Sequence, residues 1–326
     1  MAIPEKPNAC VACGASTIFI RETHDIYTLY ECTACDLQFW WPFKNPGSEF
    51  YEVDNKESVS RNENPLSMSM LPTQERFLHD KQKQGGSLVD LGMGSGRFIA
   101  EAEKIGYTVA GCDFDRDAVK TAQTYYGLSD VHALSVEDFV TSFPDRKFDV
   151  VTMFEILEHL DGFDAIPKIL SLMKSDGLLV VSTPWRGRWG GFFSGDHPPE
   201  HLTRWSDKAI RTFFETRGFR ILHMHHMPAA PDYFSRLLMR FPEWTRGWLS
   251  FGLSKKLKKK ENIASRPANN TLHLPKKTSL RNRIIRALSV AKLYGLFFIP
   301  TVVLYAYLSA TGGRHATGFY IIMEKA

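Results

Sequence analysis

The run Ser87-Leu88-Val89-Asp90-Leu91-Gly92-Met93-Gly94-Ser95-Gly96-Arg97 decides the architecture. Its opening residues form an apolar strand pattern broken only by Asp90, the glycines make a turn, and a helical pattern follows from about Phe98 to Ile105. Glycines at such a turn permit dihedrals that a Cβ forbids and let the backbone approach a ligand closely, while the helix start behind them supplies N–H groups. A dinucleotide fingerprint requires GxGxxG. Here Arg97 breaks that register and the third glycine falls at Gly96, which disfavours NAD or FAD.

Further apolar runs lie at 108–113, 131–135, 148–155, 177–184, 219–226 and 318–325, and the earlier ones alternate with helical patterns. That alternation predicts a seven-stranded, doubly wound α/β sheet, mainly parallel. The second run ends in Asp113, placed to accept the hydroxyls of an adenosine ribose, as in nicotinamide enzymes. After the third run, Glu137 and Asp138 could accept the adenine amino group, and Phe139 could pack on the ring. Acids, aromatic and glycine turn converge on one sheet edge. The segment SGDHPPEHLTRWS at 194–206 reads as a polar loop carrying His197 and His201, with Ser206 as N-cap of a helix over 207–217 and Gly218 as its stop. His223, His225 and His226 read as a solvated strand face, and ligand types outside the N-terminus are too scattered for a catalytic metal.

Four of the five cysteines form a pair of CxxC knuckles, Cys10/Cys13 and Cys32/Cys35, separated by eighteen residues. This is the spacing of a four-thiolate zinc ribbon, with short strands expected at 17–20 and 27–30. A closed four-thiolate site has no open coordination position, so its zinc would be structural. The N-terminus shows no basic and apolar leader pattern, and clustered thiols suit a reducing cytoplasm.

At 326 residues and 37.1 kDa, with 44% hydrophobic and 23% charged residues, the composition is globular and excludes disordered, collagen-like and coiled-coil classes. The net charge of +4 is too small to indicate nucleic-acid binding by bulk charge. It is unevenly placed: between 254 and 292 twelve Lys or Arg face Glu261 alone, so this stretch carries +11 and the remainder −7.

The run LVDLGMGSG, Asp113, the Glu137-Asp138 turn, FDVVTMFEILEHL, LMKSDGLLVVSTP and the closing GFYIIMEK together resemble a class I S-adenosylmethionine-dependent methyltransferase over about residues 85–226 plus the last strand. The likeness is to the EHL/EHV branch, which includes ubiquinone-pathway O-methyltransferases and bacterial methyltransferases of cell-surface glycan pathways, some with an N-terminal zinc ribbon. It implies S-adenosylmethionine as cofactor, with Asp90, Gly92, Gly94 and Gly96 at the methionine part, Asp113 at the ribose, Glu137 and Asp138 at the adenine, and Phe154 and Glu155 lining the cofactor; Phe114 and Phe139 complete the candidate cofactor-binding set. His159 and His201 are the candidate catalytic residues, His159 as general base; Glu158 and His159 could equally cap or orient the next helix.

The expected organisation is a zinc ribbon over 1–45, a Pro-containing connector with a helix near 73–83 over 46–84, the cofactor-binding core over 85–229, a helical insertion between strands six and seven over 230–316, and the final strand over 317–326. Within the insertion, 280–292 reads as a basic amphipathic helix, and 293–313 is uncharged for twenty-one residues. One crossing would strand the last strand on the wrong side of a membrane, so peripheral contact through 255–313 on the inner face is expected, with an internal helical subdomain as the alternative. The acceptor is then a small or lipid-linked molecule, for instance a polyprenyl-linked glycan or a quinone. Two other readings stay open: an RNA methyltransferase using the ribbon and the basic patch, and a non-catalytic cofactor-binding scaffold.

Overall fold

A computed structural model describes residues 6–47, 50, 62–65, 69–188, 196–228, 303, 306 and 316–326. The chain divides into two units, Met1–Pro228 with Ala316–Ala326, and Ala229–His315. Apart from positions 303, 306 and 316, the segments expected to form the helical insertion and to touch a membrane lie outside the described residues, and Ala316 already belongs to the last strand. Among the described residues no helix is long and apolar enough to cross a membrane.

The first unit begins with β1 (Ile18–His24), β2 (Tyr27–Cys32) and β3 (Gln38–Trp41), an antiparallel meander between and beyond the cysteine knuckles. Helix α1 (Pro72–Asp80) leads to β4 (Ser87–Leu91), α2 (Arg97–Lys104), β5 (Thr108–Asp113), α3 (Arg116–Tyr125), β6 (Val131–Ala133), α4 (Val136–Ser142) and β7 (Phe148–Phe154). A single 3₁₀ turn at Leu157–His159 precedes α5 (Ala165–Leu172), β8 (Met173–Pro184), β9 (Thr203–Arg204), α6 (Asp207–Glu215), β10 (Phe219–Pro228) and β11 (Ala316–Lys325).

The seven-stranded sheet runs β10-β11-β8-β7-β4-β5-β6. Its pairs from β8 to β6 are parallel, and β11 lies antiparallel between β8 and β10. The chain moves outward from β4 to β6 and returns at β7, so the strand order reverses between β4 and β7. In open α/β sheets ligands bind outside the carboxyl ends at this place.

Side-chain alternation fixes the two faces. Val89, Leu91, Val151, Met153, Leu179, Val181, Ile321 and Met323 share one buried cluster, and Leu88, Val150, Leu178, Val180, Tyr320 and Ile322 share the other. Strands buried on both faces read as continuous apolar runs, which is why they were legible. Phe98 anchors the second face, with Phe77 and Phe154 at centroid distances of 5.5 and 5.0 Å. Each fully buried aromatic of this kind is worth roughly 2–3 kcal/mol. The first face also takes in Cys10, Cys32, Cys35, Leu37 and Phe39, so the ribbon and the large sheet share one core.

Three elements depart from the sequence reading. The ribbon gains a third strand, β3, within its expected span but beyond the two strands read from the sequence. The short β9 joins it to make a second sheet of order β1-β2-β3-β9. Two residues are too few for a periodic pattern, and their pairing partner lies far away in sequence. Finally, β8 starts at Met173, because Phe148 pairs with Met173 while Val150 pairs with Leu178, and the residues between bulge out.

Candidate functional site

The turn after β4 is left-handed at Gly92, Gly94 and Gly96, with φ of 85°, 55° and 81°. A Cβ at Gly92 would overlap the Ile156 side chain, and one at Gly96 would come within 2.8 Å of Ala122 and Leu128. The N–H groups of Gly92 and Met93 both donate to the Cys112 carbonyl, at 2.8 and 2.9 Å, which ties the turn to β5. One residue on, Asp113 accepts the Gly94 N–H on Oδ2 at 2.8 Å and the Asp115 N–H on Oδ1 at 2.9 Å. Two backbone donors thus fix the orientation of a carboxylate, a group with about four acceptor positions. Phe114 follows it, partly exposed.

Asp90 is 1% exposed and accepts Thr152 Oγ1–H at 2.6 Å. Burial pushes its pKa up to about 7; the Thr152 bond opposes this and the Asp113 charge adds to it. A carboxyl so placed gains from a cation. The turn that excludes side chains, the buried acid beneath it and the anchored acid beside it fit the methionine and ribose parts of S-adenosylmethionine.

Glu137 and Asp138 open α4. Asp138 exchanges hydrogen bonds with Ser135, the N-cap, at 2.7 and 3.0 Å, and Glu137 pairs with Lys168 at 3.4 Å. Both acids are exposed. Phe139 and Phe154 are buried aromatics: Phe139 packs on Phe143 with centroids 4.9 Å apart, and Phe154 belongs to the aromatic group of α1 and α2.

Beyond β7 the carboxyl edge carries a second polar group. Glu155 has φ 53°, a left-handed conformation uncommon for a residue with a Cβ. The backbone is held there by N–H bonds to the Ser182 carbonyl and Oγ, at 3.0 and 3.1 Å, while Ser182 Oγ donates to Glu155 Oε1 at 2.7 Å. Glu158, 1% exposed, accepts Thr183 Oγ1–H at 2.9 Å on Oε2, while its Oε1 meets no hydrogen-bond partner among the described residues and lies 4.0 Å from His159 Nε2. Burial, then the Glu155 charge, holds Glu158 well above the usual carboxylate range.

His159 Nδ1 lies 2.8 Å from the Glu200 carbonyl. A carbonyl only accepts, so Nδ1 carries the proton and the neutral ring has its lone pair on Nε2. The His201 ring meets His159 edge-on, with centroids 4.7 Å apart, and its Nδ1 is 3.4 Å from Asp196, which in turn pairs with Arg188. The two histidines named from sequence are therefore brought together from positions forty-two residues apart. Contrary to the scatter read from sequence, Glu158, His159 and His201 offer ligand atoms all within 4.8 Å of one another, a set able to hold a cation. His197 faces elsewhere, stacked on His24 of β1 at 4.7 Å. His223 and His226 are exposed, in keeping with a solvated strand face; His226 also pairs with Asp207 at 3.1 Å and lies tilted against Trp185, with centroids 4.7 Å apart.

The four ribbon sulfurs also lie within 4.8 Å of one another. Cys10 Sγ is 3.6 Å from Cys35 Sγ, and Cys13 Sγ is 3.7 Å from Cys32 Sγ. Tetrahedral zinc with bonds of ~2.3 Å requires sulfur separations of about 3.8 Å, so the cluster fits a zinc ribbon. Sequence reasoning missed Thr152, Ser182, Asp196 and Arg188, whose site roles arise only through contacts across strands or loops.

Residues 70–224 match the family described as "Methyltransferase domain". Among curated relatives, the ubiquinone biosynthesis O-methyltransferase of Actinobacillus pleuropneumoniae serotype 5b (strain L20) is 33% identical over 37% of this chain and 53% of its own. That of Thiobacillus denitrificans (strain ATCC 25259 / T1) is 30% identical over 44% of this chain and 57% of its own. The chain spans about half the length of these curated relatives. The crystal structure of the [4+2]-cyclase SpnF superposes with a TM-score of 0.50 at 15% identity, covering 86% of this chain and 97% of SpnF; that likeness is one of fold alone. The family match spans residues 70–224, a little under half of the chain, and the sheet order and glycine turn of that stretch agree with a methyltransferase domain.

Proposed function

We propose that the protein transfers a methyl group from S-adenosylmethionine to a hydroxyl oxygen of a small or lipid-linked intermediate in surface-glycan or quinone-type biosynthesis. When bound, the cofactor supplies an already activated sulfonium methyl. The chain must then align the acceptor oxygen, exclude water and take a hydroxyl proton. Asp90, the glycine turn and Asp113 with Phe114 bind the cofactor, and the acids of α4 lie toward the adenine. His159, its tautomer set by the Glu200 carbonyl, takes the proton on Nε2, and His201 orients the ring. The observation that carries this reading is the His159–His201 contact past β7. The O-methyltransferase relatives favour oxygen as the acceptor atom.

The ribbon cysteines bind one structural zinc in this reading. The basic and uncharged stretches of 254–313 give a peripheral contact with an anionic leaflet on the cytoplasmic side, because adjoining basic and apolar signals suit such a surface. Purified protein should form S-adenosylhomocysteine with catechol-type quinol or polyprenyl-glycan acceptors; turnover on RNA alone would replace the acceptor assignment. Sedimentation with phosphatidylglycerol vesicles tests the contact, which fails if wild type and a variant lacking 280–313 stay equally unbound at low salt.

A further inference from the structure

We propose that the cysteine ribbon is the outer brace of the catalytic loop: metal at Cys10, Cys13, Cys32 and Cys35 holds residues 196–204, and with them His201, against His159. The functional meaning rests on the proposed role of the two histidines; the mechanical claim does not.

Leu202 makes the link. Its N–H donates to the Glu158 carbonyl at 2.7 Å, and its own carbonyl accepts the Trp40 N–H at 2.8 Å. One fully buried residue, next to His201, thus connects the 3₁₀ turn of the site to ribbon strand β3. The pairing continues through Thr203 with Phe39 and Arg204 with Gln38. Just past β3, Asn45 donates from Nδ2 to the His159 carbonyl at 2.9 Å and from its N–H to Asp161 at 3.0 Å. Both candidate catalytic histidines are therefore held through the strand that follows the second knuckle.

The knuckles are gripped in turn by the methyltransferase body. Arg186 donates to the Asp36 carbonyl at 2.7 Å and to its carboxylate at 2.9 and 3.0 Å, beside Cys35. Arg217 donates to the Ala12 carbonyl at 2.6 Å, between Cys10 and Cys13. A three-stranded ribbon of this size cannot bury a core of its own, so metal binding and its folding are coupled. Losing the metal loosens β3 and leaves Leu202 and Thr203 without their ribbon partners. The glycine turn and Asp113 are tied to β5 and the start of α3 instead, so the donor side is spared.

Hydrogen–deuterium exchange on the full chain decides the matter, comparing zinc-loaded protein with protein dialysed against chelator under reducing conditions. Exchange at 38–41 and 201–205 should rise at least tenfold on zinc removal and recover on reloading. Exchange at 87–97 and S-adenosylmethionine affinity should change less than threefold. Protection retained at 201–205 while 10–41 opens would overturn the proposal, since the ribbon would then be an independent module. If metal-free protein unfolds throughout, Arg186→Ala in the zinc-loaded state decides instead: faster zinc release together with severalfold faster exchange at 201–205 supports the brace, and no change in either refutes it. Exchange needs no acceptor or turnover. A failed assignment of His159 as base, seen as full turnover in His159→Gln, is therefore separable from a failed brace.

Discussion

Replacing Asp90 by asparagine should stabilise the ligand-free protein at neutral pH while weakening its hold on the methyl donor. The Asp90 carboxyl is raised from 3.8 to about 7 by burial. The unfolded chain therefore gives up this proton near pH 4, and the native protein keeps it until about pH 7. Native protein binds more protons across that window, so the carboxyl's contribution to stability is complete below pH 4 and is lost as pH rises toward 7. Three pH units at ~1.4 kcal/mol each set an upper bound of about 4 kcal/mol. Asparagine keeps an acceptor for Thr152 and has no charge to bury. Urea unfolding of both proteins between pH 5 and 8 should show the variant gaining on wild type by up to ~3 kcal/mol as pH rises, with other carboxylates cancelling in the comparison. Calorimetry with S-adenosylmethionine near pH 7, in buffers of different ionisation enthalpy, should show proton release by wild type only, because a cation near Asp90 favours its ionised form. Parallel stability curves for the two proteins, or equal proton release, would refute the reasoning.

Asp113→Ala removes a carboxylate fixed by two backbone donors and should weaken S-adenosylmethionine binding roughly ten- to a hundredfold by calorimetry, with circular dichroism unchanged; unaltered affinity removes Asp113 from the ribose site. Gly92→Ala places a Cβ on the Ile156 side chain at a left-handed φ and should cost about 1–3 kcal/mol in thermal unfolding, so an unchanged melting point would contradict the turn geometry. His159→Gln should lower kcat by a factor on the order of a hundred to ten thousand while leaving donor affinity within about twofold. A loss confined to donor affinity would assign His159 to cofactor binding.

The large sheet was legible because its strands are buried on both faces and therefore read as apolar runs with glycine and acidic punctuation. The glycine turn, Asp113, Ser206 as N-cap and the cysteine knuckles were legible because each signal is local: a turn, a strand end, a cap and a spacing. What sequence could not reveal is long-range. Glu158 is held by Thr183 at its carboxylate and by the Leu202 N–H at its carbonyl, and β9 pairs only with the edge that β3 offers it. Aromatic type is ambiguous by nature, since Phe139 and Phe154 suit a ligand platform and a packed interior equally well, and here both are buried.

The pairing of Pro228 with Ala316 has a further consequence. β10 ends at Pro228 and β11 begins at Ala316 in neighbouring antiparallel strands, so this unit presents the two attachment points of 229–315 a single strand spacing apart. Lengthening such an excursion twofold costs only ~0.6 kcal/mol in closure entropy. The stem is thus a natural grafting point, at which a lineage could exchange one appendage for another, or trim it to a tight hairpin, without disturbing the scaffold that handles the donor.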